Sequence, residues 1–271
     1  MRIVPLSDLT APELRPYTTL RRSMESYKEG LFVAEGRLLV ERLLQTKLAL
    51  ISVVCTPPRF EQFRALLEAR TDDSIVYVAE RAQVEACIGV NYHHGVMALA
   101  RIPTEQDVET FLANQPREKP LLLLALDGLT QAENAGTITR AAAALGVDAI
   151  ISGEMSCSPW LRRAVRNSMG GVFNVPIFHP PSLVETLKSL RAQHDVRVVG
   201  ADPGGKQMLT QYKFDTRTCL VLGAEFEGIT EPVRVQCDDL VSIPVVGGMD
   251  SLNVAGAATV FLYEAMRSRG K

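Results

Sequence analysis

Five polar residues stand where this chain could do chemistry: Asn134 and Arg140 in one stretch, Glu225 in a second, Ser251 and Asn253 in a third. The first stretch runs from Asp127 to Arg140 and follows an apolar run of strand length. It reads as a strand end, a loop and a helix, with Asn134 as a helix cap. Arg140 falls within the first two turns, where it can reach a pocket mouth. Its guanidinium offers a cation and a forked set of donors, suited to a phosphate and an adjacent oxygen. Taken alone, the pair also reads as a capping Asn and a solvated Arg, the common fate of such residues. Glu225 follows Gly223 in a second loop, where it can orient a bound group or Arg140, or simply stand in solvent. Ser251 opens the last helix as its N-cap, with Asn253 two positions on. Gly247 and Gly248 give the preceding loop freedom to bend.

The most basic local stretch is Trp160 to Gly170. Arg162 and Arg166 share a helix face there, with Arg163 beside them. Such a cluster is either a wet surface or a set of phosphate contacts. The net charge of −2 provides no global basic field, so any nucleic-acid binding rests on local patches like this one. His93, His94, His179 and His194 show no ligand spacing. Cys55, Cys87, Cys157, Cys219 and Cys237 are scattered, with no CxxC, so no zinc site or disulfide framework is expected, and a reducing compartment fits.

The elements that must position these residues alternate. In the second half, strands are expected at 121–126, 147–151, 175–178, 196–200, 219–222 and 240–243. Helices are expected at 137–145, 159–168, 182–193, 232–237 and 252–268. Nearly all-apolar strands separated by helices predict a doubly wound parallel sheet covered on both faces. In such a sheet ligands sit at the carboxyl ends of strands, so loops there converge on one pocket. The first hundred residues alternate in the same way and form a smaller α/β domain. Residues 103–119, charged and carrying two prolines, read as a linker. Hydrophobic residues at 46% and charged residues at 22% argue against disorder. No apolar run approaches a bilayer span, and the N-terminus has no signal-like core, so a soluble cytoplasmic protein is expected.

Three stretches together resemble the knotted SpoU/TrmH-type (SPOUT) RNA ribose methyltransferases. Asn134-Ala135-Gly136 with Arg140-Ala141-Ala142 is similar to that family's first motif. Gly223-Ala224-Glu225-Phe226-Glu227-Gly228 is similar to the second, and Ile243-Pro244 through Ser251-Leu252-Asn253-Val254-Ala255 to the third. Phe32-Val33-Ala34-Glu35-Gly36 and His94-Gly95-Val96 resemble, more loosely, the L30e-like substrate domain that precedes it. The resemblance implies a division into 1–102, an L30e-like RNA-binding domain, a linker at 103–119, and a catalytic domain at 120–271 with a trefoil knot. It also implies a homodimer, no metal, and an S-adenosylmethionine slot at Leu222, Gly223, Ile243, Leu252 and Asn253. Arg140 falls where the family's catalytic arginine sits, with Asn134, Glu225, Ser251 and Asn253 around it, while Arg162, Arg163 and Arg166 would meet RNA. Ribosomal RNA is the favoured substrate and tRNA the second. Two departures stand out: Gln131-Ala132 replaces an Asp-Pro pair, and Phe226 replaces a glycine. The rival readings are a non-catalytic RNA-binding or ribosome-assembly protein on the same fold, and a dinucleotide enzyme, for which the expected GxGxxG is missing.

Overall fold

A computed structural model describes residues 1–5, 14–19, 23–88, 94–104, 107–247 and 251–269; His93 and Gly248 lie outside the described residues. In chain order the elements are β1 (Arg2–Pro5), α1 (Arg15–Thr18), α2 (Ser23–Lys28), β2 (Leu31–Glu35), α3 (Arg37–Leu44), β3 (Leu50–Cys55), α4 (Pro57–Glu68), β4 (Ile75–Val78), α5 (Arg81–Ile88) and β5 (Val96–Arg101). They continue as α6 (Val108–Ala113), β6 (Leu121–Leu126), α7 (Ala132–Ala144), β7 (Ala149–Ser152), α8 (Arg162–Asn167), β8 (Ile177–Phe178) and α9 (Leu183–His194). The last are β9 (Arg197–Ala201), β10 (Gln207–Met208), β11 (Arg217–Leu222), α10 (Glu231–Arg234), β12 (Asp239–Ser242) and α11 (Val254–Ser268). No described helix is long and apolar enough to cross a membrane.

The chain divides into two compact units: Met1–Thr104 with Trp160–Phe173, and Glu105–Pro159 with Asn174–Lys271. Trp160–Phe173, within the stretch 120–271, packs with the first unit. That unit is a mixed sheet in the order β1-β4-β3-β5-β2, parallel from β1 to β3 and antiparallel at β5. β3 is buried along nearly its whole length, and fully buried Tyr17 donates its hydroxyl hydrogen to the Ser52 carbonyl at 2.9 Å. The inserted segment joins through aromatic contact. Phe32 of β2 lies 4.9 Å from the Trp160 ring and 5.7 Å from Phe173, between ring centres.

The second unit is a seven-stranded, wholly parallel sheet in the order β10-β12-β9-β11-β6-β7-β8. All six residues of β6 and of β11 are buried, as a sheet covered on both faces requires. Three expectations shift. β10, only two exposed residues long, carries no apolar pattern and was not expected. α7 starts five residues early, at Ala132. Within the expected linker, α6 forms with Asp107 as its N-cap, accepting from the Thr110 N–H at 2.8 Å. α6 buries Val108 and Leu112, one turn apart, in the second unit's core; two apolar residues are too few for the pattern to show in a charged stretch.

Asp239 at the start of β12 ties the sheet's outer strands together. It accepts from Arg197 Nε at 2.6 Å, Gln207 Nε2 at 2.9 Å and the Tyr212 hydroxyl at 2.8 Å. The Arg197 guanidinium holds the Asp239 carboxyl below the usual carboxylate range, while burial pushes the Tyr212 hydroxyl up. A lowered folded-state value stabilises fully above the ordinary carboxylate range, and that contribution is lost as pH falls through the lowered one. Thermal melts of the protein are therefore expected to weaken on the acid side, and Asp239→Asn to flatten that part of the curve.

Candidate active site

The loop after β11 is built so that only glycine fits at its base. A Cβ on Gly223 would lie 2.1 Å from the Gly228 carbonyl carbon and 2.2 Å from the Ile229 nitrogen. The two chain segments close into a ring. Ala224 N–H donates to the Gly228 carbonyl and Gly228 N–H to the Ala224 carbonyl, each at 3.0 Å. Gly228 takes φ +69°, which an L side chain would strain. Glu225, Phe226 and Glu227 form the tip of this ring, with Phe226 92% exposed.

Glu225 turns inward and accepts three side-chain amides. Asn134 Nδ2 donates to Glu225 Oε1 at 2.5 Å and Asn253 Nδ2 to the same oxygen at 2.9 Å. Gln131 Nε2 donates to Oε2. The donors come from the loop after β6 and from the turn into α11, so the three motif stretches meet on one carboxylate. The sheet explains why. β6, β11 and β12 run parallel, and the strand order β12-β9-β11-β6 puts all their carboxyl ends on one edge. α7 and α11 pack against each other. Ala135, Gly136, Ala255 and Ala258 are buried on these helices, and such small side chains permit close approach.

The capping roles differ from those expected. Asn134 is no cap: it is the third residue of α7, and Gln131 occupies the cap position without a side-chain capping bond. Asn253, not Ser251, caps α11, its side-chain oxygen accepting from the Ala255 N–H at 2.9 Å. Asn253 thus holds a helix start with its oxygen and Glu225 with its nitrogen. Arg140 lies on the exposed stripe of α7 with Glu133 and Thr137. It has no hydrogen-bond or ion-pair partner among the described residues, so its donors are uncommitted.

A small cavity opens at the ends of β9 and β12. Val241, Ile243, Leu252 and Phe261 form its apolar wall, with Asp202 and Ser251 at its polar side. Of the expected slot residues it brings in Ile243 and Leu252, and Ser251 with them. Leu222, Gly223 and Asn253 do not line it: Leu222 is buried in the sheet and its carbonyl accepts from the Asp127 N–H at 2.8 Å. The cavity adds Asp202, which the sequence reading passed over. Asp202 Oδ1 accepts from the Gly204 N–H at 2.7 Å and Oδ2 from Arg234 Nη1. The signal for it was present as a strand ending in Ala201-Asp202-Pro203. Leu252 and Val245, 45% and 38% exposed, leave apolar surface at the mouth. Apolar walls with a few polar groups suit the flat ring and polar edge of an adenosyl group. Among the described residues no cluster of His, Cys, Asp and Glu is placed to hold a metal ion.

The basic helix α8 belongs to the first unit. Arg162 Nη2 binds Glu35 Oε2 at 2.5 Å, with both side chains mostly buried, so Arg162 is an internal ion-pair partner rather than a free surface cation. Arg166 lies 3.8 Å from the same carboxylate but is 55% exposed, and Arg163 is exposed.

A parallel α/β sheet with a polar site across its strand ends defines the class of this second unit. Residues 121–263 match the SpoU rRNA Methylase family, and the chain belongs to it. It is 35% identical over 198 residues to the 23S rRNA (guanosine-2'-O-)-methyltransferase RlmB of Acinetobacter baylyi, covering 72% of this chain and 79% of that one. It is 37% identical over 180 residues to RlmB of Pasteurella multocida, covering 65% and 72%. Among solved structures it resembles the SpoU methyltransferase AviRb of Streptomyces viridochromogenes in complex with AdoMet, with TM-score 0.80, 25% identity and coverage of 95% and 98%. It also resembles the AdoMet-bound rRNA methyltransferase of Sinorhizobium meliloti, with TM-score 0.81, 25% identity and 98% of each chain covered.

Removing the Asn253 side chain takes away a helix cap, which typically costs about 1 kcal/mol. Asn253→Ala is expected to lower unfolding stability by that order in denaturant titration. Gly223→Ala must displace the Gly228 backbone and is expected to cost more.

Proposed function

We propose that the chain is an S-adenosylmethionine-dependent methyltransferase acting on a ribose 2′-hydroxyl of ribosomal RNA. The observation that carries this reading is the meeting of three loops on Glu225, beside the Ile243–Leu252 cavity, in a chain of the SpoU family. Its RlmB relatives are named as enzymes that methylate a guanosine of 23S rRNA at the 2′-oxygen, which favours ribosomal RNA over tRNA. When bound, S-adenosylmethionine supplies a methyl group on a sulfonium.

The chain's own residues then have three tasks. Ile243 and Leu252 take the adenosyl group against their apolar faces, with Ser251 at its polar side. Glu225 fixes the carboxamides of Asn134 and Asn253 and so sets which groups the nucleotide meets. Arg140 stabilises the charge developing on the ribose oxygen and holds the adjacent phosphate with its forked donors. A guanidinium retains its proton far above neutral pH, so Arg140 acts by positioning and electrostatics, with proton loss assisted by the substrate phosphate. Exposed Arg163 and Arg166 make phosphate contacts from an L30e-like N-terminal part. A homodimer, with a trefoil knot at its interface, completes the reading.

In vitro methylation of total RNA with labelled cofactor, followed by mapping, is expected to mark one ribose of ribosomal RNA. Label on bases, or none, would overturn the proposal. Lysine keeps the charge and loses the fork, so Arg140→Lys is expected to lower turnover by about a hundredfold, the scale for losing one transition-state donor.

A further inference from the structure

Gln131 stands where the family pattern has an aspartate, and its side chain does not cap α7. It does something else. Its Nε2 donates to Glu225 Oε2, and its Oε1 accepts from Asn134 Nδ2 at 3.3 Å. Asn134 Nδ2 also donates to Glu225 Oε1. Gln131, Asn134 and Glu225 therefore close a ring of three hydrogen bonds across a gap of about ninety residues in sequence. Both hydrogens of the Asn134 amide nitrogen are used within that ring. A carboxamide has one donor end and one acceptor end, so its oxygen is the end left over for a ligand.

We propose that Gln131 is a positioning residue: it locks Glu225 in place and, through it, fixes the Asn134 carboxamide with its oxygen presented to the nucleotide. This rests on the methyltransferase reading for its consequence, though not for its contacts. Glutamine is suited to the task because it donates and accepts at once. An aspartate at the same place is one carbon shorter and has no donor for Glu225. It would set two carboxylates side by side, which disfavours ionisation of both.

The test is a double-mutant cycle with Gln131→Glu, Glu225→Gln and the two combined, in the full-length chain. Gln131→Glu is isosteric and places like charges together, so its melting temperature should fall. Adding Glu225→Gln restores one amide facing one carboxylate, and the combined variant should regain most of that loss. Additive shifts would overturn the contact. Turnover on the mapped RNA provides the second arm. Gln131→Glu should lose about 10-fold or more in kcat, as expected when a polar group at the reacting centre is displaced from its productive geometry, with KM for S-adenosylmethionine unchanged. Wild-type kcat in Gln131→Glu would sink the positioning role. Were the wild-type chain itself to methylate no RNA, the functional reading would fail, while the melting cycle would still decide whether Gln131 holds Glu225.

Discussion

Three side-chain amides donate to the Glu225 carboxylate: Gln131 from the loop after β6, Asn134 from the first turn of α7 and Asn253 from the cap of α11. A carboxylate drawn in from solvent is costly unless its oxygens are satisfied. The three donors replace part of the hydration that this half-buried carboxylate gives up. The bonds form only if β6, β11 and the approach to α11 hold their relative positions. The register of β11 on β6, from Arg217 opposite Leu121 to Leu222 opposite Leu126, does this. It brings Asp127 and Gly223 level, one residue past each strand end. The site is thus a consequence of sheet register.

Close packing around the edge keeps that register useful. Gly223 has no room for a Cβ, so the Glu225 loop folds back directly over the strand end instead of rising into solvent. Gly200 on neighbouring β9 is similarly pressed: a Cβ there would lie 2.8 Å from a Leu240 methyl and 3.0 Å from Cys237 Sγ. Beneath, Asp127 accepts from the Thr230 N–H at 2.7 Å and anchors the far side of the same loop. Arg217, buried at the opposite end of β11, donates to the carbonyls of Pro116, Lys119 and His194. β11 is therefore pinned at both ends, and Glu225 inherits that rigidity.

What the sequence revealed and what it hid follow from the range of the forces involved. β6 and β11 were legible because burial on both faces leaves six apolar residues in a row in the first and four, Cys219 to Leu222, in the second. The edge strand β10 gains its place from pairing with β12, which two exposed residues cannot advertise. Ser251 and Asn253 belong to the same capping class, and only the chain's path decides between them. Arg162 looked like a surface cation because Glu35, its partner, lies 127 residues away. The Asp202 side of the cavity was missed because β9 inserts between β11 and β12 in the sheet, although it precedes both in sequence. Periodicity reports elements; it does not report their order across a sheet.

The two charged residues of the motifs differ in their surroundings. Glu225 has its oxygens engaged by amides, which makes it an organiser of neighbouring groups. Arg140 sits on the outer stripe of α7 with its donors free. The proposed function thus draws on two different kinds of group, an ordered set of carboxamides around Glu225 and an uncommitted guanidinium on α7. Under the proposed function the rate comes from alignment and charge compensation rather than from proton abstraction by a side chain. Methyl transfer from a sulfonium suits those terms, because the leaving group departs neutral and the positive charge of the donor is discharged in the step. Under the proposed function the protein supplies a fixed angle of approach, and the Glu225 cluster is the part of the fold assigned to that task.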